Sequence, residues 1–88
     1  MSLDVKKAVD LARGYLAELV QIPISEFLLE EVQRTGTFWE ITISYPDPGS
    51  PTLRNFLAGR TFRVVTLDAD TGEFVSMKIR TVAHGFSA

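Results

Sequence analysis

RTFRVVTLDADTGEFVSMKIR, Arg60 to Arg80, sets a β-branched and aromatic run on either side of the segment Asp68-Ala69-Asp70-Thr71-Gly72. Two acids one residue apart ahead of a glycine admit either a calcium loop or a tight bend. A calcium loop counted from Asp68 needs an acid at the fifth place, glycine at the sixth and glutamate at the twelfth. Those places hold Gly72, Glu73 and Ile79. A hairpin needs only a residue free to take positive φ, which Gly72 supplies without steric cost. The stretch therefore reads as two antiparallel strands around a turn, expected over 60–68 and 73–82. With a three-residue loop closed by Gly72, Ala69 pairs with Glu73. Val65, Leu67, Val75 and Met77 then share one face, and Phe62, Val64 and Phe74 the other.

The preceding segment repeats the pattern. Trp39, Ile41, Ile43 and Tyr45 alternate with Glu40, Thr42 and Ser44, the period of a half-buried strand. A second hairpin is expected over 27–34 and 37–45, turning at Arg34-Thr35-Gly36. The same turn logic puts Trp39, Ile41 and Ile43 on the inner face and Leu28, Val32 and Phe38 on the outer. Glu30 and Glu31 are adjacent, so on a regular strand they point to opposite faces and form no acid–base pair. Solvation and edge protection are their expected roles.

N-terminal to these strands, Val5, Ala8, Val9, Leu11, Ala12, Tyr15, Leu16, Leu19 and Val20 fall on one side of a helical wheel. A helix is expected over 3–20, capped by Ser2, with Asp4 in its first turn and an end near Val20 or Gln21 ahead of Pro23. Residues 46–59 hold three of the four prolines and read as a long connection with a turn of helix at Leu53 to Leu57. The residues after Val82 read as a tail. The expected fold is α+β: one N-terminal helix packed across a four-stranded antiparallel sheet, as a single domain over 1–88.

Composition excludes several functions. The 88 residues contain no cysteine, hence no disulfide and no thiolate chemistry. His84 is the only histidine and has no partner ligand, so no metal site and no cofactor are expected. Nine basic against 11 acidic residues give a net charge of −2, against the basic excess of nucleic-acid binders. Arg60, Arg63, Lys78 and Arg80 are the one candidate basic patch. No apolar run reaches the roughly 20 residues of a membrane span, and the N-terminus lacks the blocks of a signal peptide. The sequence reads as soluble and leaves the compartment open. Phosphate-binding glycine loops and serine elbows are missing, so no enzyme is expected.

Helix, strand pair and terminal hairpin, carried by FWEITISY and by Asp68, Thr71, Gly72 and Val75, resemble the PepSY-type domain, similar in shape to the cystatin-like group. The resemblance runs from Leu3 to Arg80 and implies a binding or inhibitory module without catalytic residues. The expected function is a protein-interaction or regulatory module, homodimeric or bound to a protein partner through an outer face that the pattern makes half apolar. Phe38, Phe62, Val64 and Phe74 are its expected contacts, with residues 46–59 folding back as the competing cover. The alternative is a small-ligand pocket between helix and sheet, lined by Tyr15, Trp39 and Tyr45.

Overall fold

The computed structural model describes residues 3–46 and 60–80, and shows one helix lying against a four-stranded antiparallel sheet. Helix α1 spans Val5–Val20. Its cap is Asp4 and not Ser2: the Asp4 carboxylate accepts the Lys7 N–H at 2.8 Å, satisfying one of the free amides of the first turn. The helix ends at Gln21, which takes a left-handed conformation with φ 58° and donates its N–H to the Ala17 carbonyl. A short 3-10 turn, Ile24–Glu26, leads to β1, Leu28–Thr35. Strands β2, β3 and β4 follow as Phe38–Pro46, Arg60–Asp68 and Phe74–Ile79. They lie side by side in chain order. The expected connection falls almost wholly outside the described residues, as do the expected end of the last strand and His84.

Ala8, Ala12 and Leu16 of α1 are fully buried against Ile41, Ile43, Val65 and Leu67 of the two central strands. The two alanines let the helix approach the sheet closely, and the branched side chains of β2 and β3 fill the layer between. That burial is the main stabilising term in a domain of this size.

Both hairpins depart from the expected register. Arg34 pairs with Trp39 and Thr35 with Phe38, so the first turn has two central residues, Gly36 and Thr37. Only Gly36 has positive φ, the II′ arrangement that suits strand twist. A shift of one residue exchanges faces. Val32 accordingly pairs with Ile41 and packs on the core, not on the outer face. A bulge between Leu29 and Glu31 shifts the register again and leaves Leu28 opposite Ser44, on the outer side.

The second turn is longer than expected. The Asp68 N–H donates to Glu73 O, and the Gly72 N–H donates to Asp68 O, so four residues, Ala69 to Gly72, form the loop. Ala69 instead bonds Thr37 O and accepts from the Leu3 N–H, which ties the two turns and the N-terminus together. Gly72 has φ +81°, the left-handed conformation expected of it. A bulge in β4 then sets Phe74 opposite Leu67, before Ser76 pairs with Thr66 and Met77 with Val65. Phe74 therefore lies on the helix side, its ring 5.4 Å from that of Tyr15. Val75 faces that side but is 48% exposed and stays outside the core.

Candidate functional site

The helix covers one face of the sheet, and the other face carries the polar chemistry of the described residues. On β2 the side chains of Phe38, Glu40, Thr42 and Ser44 alternate away from the helix. Their partners on β3 are Asp68, Thr66, Val64 and Phe62. Beyond them, Lys78 lies opposite Val64 and Ser76 opposite Thr66.

Two arginine networks brace this face. In one, Arg80 pairs with Glu31 and donates to Thr42 Oγ1 at 3.2 Å, so its guanidinium links the last strand to β2 and β1. In the other, Arg60 donates from Nε to Ser44 Oγ at 2.8 Å and from Nη2 to the carbonyls of Ser44 and Glu26. The Ser44 hydroxyl donates onward to Glu30 Oε2 at 2.6 Å. Thr42 and Ser44 are buried although they face away from the helix. Their hydrogen bonds remove the penalty that such burial would otherwise carry.

The bulge in β1 is what makes both networks possible. Glu30 reaches Ser44, while Glu31 sits opposite Thr42 and reaches Arg80. The two glutamates thus share the outer face, contrary to the expected alternation. Each is matched to its own arginine system.

Between the Arg80 network and Lys78 lies an open groove of about 360 Å³, lined among others by Glu31, Glu40, Thr42, Val64, Lys78 and Arg80. Charges of both signs line it. Phe38 stands on the same face at 38% exposure, opposite Asp68 at one end of the β2–β3 pair, with half-buried Val64 opposite Thr42 and Phe62 opposite Ser44 farther along. With Phe74 and Val32 on the other side, the outer face is polar with apolar islands and not half apolar.

Of the expected contacts, Phe38, Phe62 and Val64 share the outer face, and Phe74 does not. The three residues expected in a pocket serve the interior. Tyr15 donates its hydroxyl to Gly72 O at 3.1 Å, and the Trp39 indole N–H donates to Leu3 O at 3.3 Å. Tyr45 packs on Phe27 and accepts from Arg63 Nε at 3.1 Å. Trp39 and Tyr45 stand six residues apart on β2, roughly 20 Å along the strand. Their polar atoms are occupied within the fold.

The expected basic patch divides: Arg60, Lys78 and Arg80 belong to the outer face, and Arg63 to the helix side. Asp68, first acid of the bend, accepts from the amides of Asp70 and Thr71 at 2.8 and 3.0 Å. Those bonds hold its carboxyl below the usual range. Among the described residues no three His, Cys, Asp or Glu side chains gather as a metal set, and no helix is long and apolar enough to cross a membrane.

No protein-family model matches this chain, and neither a curated protein nor a solved structure does.

Proposed function

We propose that the chain is a non-enzymatic protein-interaction or regulatory module that receives its partner on the outer face of the sheet. The observation that carries this reading is the groove floored by Thr42 and Val64, with Glu31, Glu40, Lys78 and Arg80 around it. Fixed charges of both signs beside apolar contacts favour a protein surface of complementary pattern, since charge placement selects partner and orientation. Phe38, Phe62 and Val64 supply the apolar anchors. A helix lying across a four-stranded antiparallel sheet is compatible with the PepSY-type and cystatin-like resemblance, which forms part of the same proposal.

The test is affinity capture from extracts with the parent chain and a Thr66→Arg variant, whose longer cation would fill the groove. A protein retained by the parent and lost by the variant supports the outer face. Equal retention by both overturns it. Native mass spectrometry of the purified chain adds a separate arm, because a retained small molecule would favour a ligand-binding domain instead.

A further inference from the structure

Strand β4 ends the sheet order with β3 as its only neighbour among the described strands, and its pattern differs from that of the opposite edge. Edge β1 carries Glu30, Glu31 and a bulge within its length, all features that discourage another strand from pairing with it. In β4 the irregularity lies at the start, at Phe74 and Val75, so Ser76 to Ile79 runs straight. The Arg80 N–H donates to Phe62 O, toward β3. Strand alternation therefore turns the N–H and C=O of Ile79 and Met77 outward.

On the helix side of this edge the side chains are apolar, and among the described residues several are substantially exposed. Alternation from Met77 puts Val75 and Ile79 on the helix side, where they are 48% and 63% exposed. Phe74, on the same side, is 37% exposed despite its contact with Tyr15. Leu19, one turn beyond Tyr15 on the helix, is 61% exposed.

We propose that β4 is a self-association edge, to which a second copy of this chain adds its own β4 antiparallel about a two-fold axis at Met77. Three observations favour a second copy as occupant. The first is hydrogen-bond parity: with the axis at Met77, the outward groups of Met77 face their equivalents, and Ile79 falls opposite Val75 of the second copy. The second is the apolar match, because Val75, Met77 and Ile79 then form one seam on the helix side. The third is charge. An axis at Lys78 would set two ammonium groups face to face, whereas an axis at Met77 sets Lys78 opposite Ser76 of the second copy. An axis at Ser76 would leave Ile79 without an apolar partner in the seam. This edge adjoins the outer-face groove, whose lining includes Lys78 and Ile79, so the cross-link through residue 77, which lies outside that lining, is the readout that separates self-association from partner capture.

Sedimentation of the chain over a concentration series is expected to show a dimer. Val75→Lys with Ile79→Lys places like charges opposite each other in this register and should give monomer. Val75→Glu with Ile79→Lys in one chain places opposite charges there and should restore the dimer. Both positions are substantially exposed, and thermal melts check that the variants fold. A second measurement needs no charged variant. The chain has no cysteine, so Met77→Cys introduces a single thiol. Hydrogen-bonded antiparallel partners have Cα atoms about 5.5 Å apart, within disulfide reach. Met77→Cys should cross-link on mild oxidation. Ser76→Cys, whose equivalent stands roughly 8 Å away by strand spacing, should not. A parent that stays monomeric at millimolar concentration overturns the proposal. So does a dimer that survives the double lysine variant with no cross-link through residue 77.

Discussion

The hydroxyl of Tyr15 on the helix donates to the carbonyl oxygen of Gly72 in the last turn, 57 residues away along the chain, at 3.1 Å. Helix and hairpin meet so closely there that a Cβ on residue 72 would stand 2.8 Å from Leu11 Cδ1 and 3.2 Å from Leu3 Cδ2. Gly36, the other turn glycine, also has positive φ, at 60°, but nothing lies within 4 Å of its would-be Cβ. Gly36→Ala should therefore lose only about 1 kcal/mol for backbone strain. Gly72→Ala should lose measurably more, since crowding adds to the same strain. Urea unfolding of both variants makes the comparison, and equal losses would show that Leu11 and Leu3 yield freely.

Removing only the Tyr15 hydroxyl should cost about 1 kcal/mol, because Tyr15→Phe keeps the ring contact with Phe74 but leaves a part-buried carbonyl without its donor. Tyr15→Ala should cost more by losing the ring as well. The same denaturation experiment measures both, and a neutral Tyr15→Phe would mean that water replaces the hydroxyl.

Helix, strands and the layer that buries Leu16, Ile41 and Val65 were legible because period and apolar content agree along each of them. What the pattern does not carry is a one-residue difference in loop length. Gly36 and Gly72 both follow a threonine, yet one opens a two-residue turn and the other closes a four-residue loop. Bulges are equally silent in a pattern. They decide that Phe74 meets Tyr15 and that Glu30 joins Glu31 on the outer face, so the polar character of that face emerges only from tertiary pairing. Arg60 and Arg80 were visible as charge, but their serine, threonine and glutamate partners lie 16 to 49 residues away.

Gln21 holds the left-handed position that ends the helix, where residues other than glycine carry a steric cost. Gln21→Gly should raise stability by up to about 1 kcal/mol, and Gln21→Val should lower it. Thermal melts of the pair test this, and two shifts in the same direction would contradict the cap.

The bend at Asp68 makes stability depend on acid. Amide N–H groups of Thr71 and Asp70 bond the ionised carboxylate and lower its folded-state pKa below the ordinary aspartate value. A carboxyl depressed on folding contributes stability that is fully present above its unfolded value and is lost as pH falls through its folded value. The contribution should therefore persist at neutral pH and fade only below about pH 4. Asp68→Asn keeps an oxygen acceptor but cannot titrate, so it should flatten the acid limb of a melting-temperature curve. Asp68→Ala should lower the melting temperature at neutral pH as well. An unchanged acid limb in Asp68→Asn would assign that dependence to another group.

Ser44 is the most enclosed polar side chain of the outer face, fully buried between Arg60 and Glu30. Its hydroxyl accepts from one charged group and donates to the other, so Ser44→Ala removes two bonds at once. Hydrogen bonds to charged partners contribute more than neutral ones, and a loss of about 1.5–3 kcal/mol is expected. Ser76→Ala, on the same face but half-exposed, should change stability by less than about 0.5 kcal/mol. If Ser44 couples the two charges, Glu30→Gln should cost less in the Ser44→Ala background than in the parent. Strict additivity in that double-mutant cycle would mean that Glu30 contributes independently of the serine and that Ser44 acts through Arg60 alone.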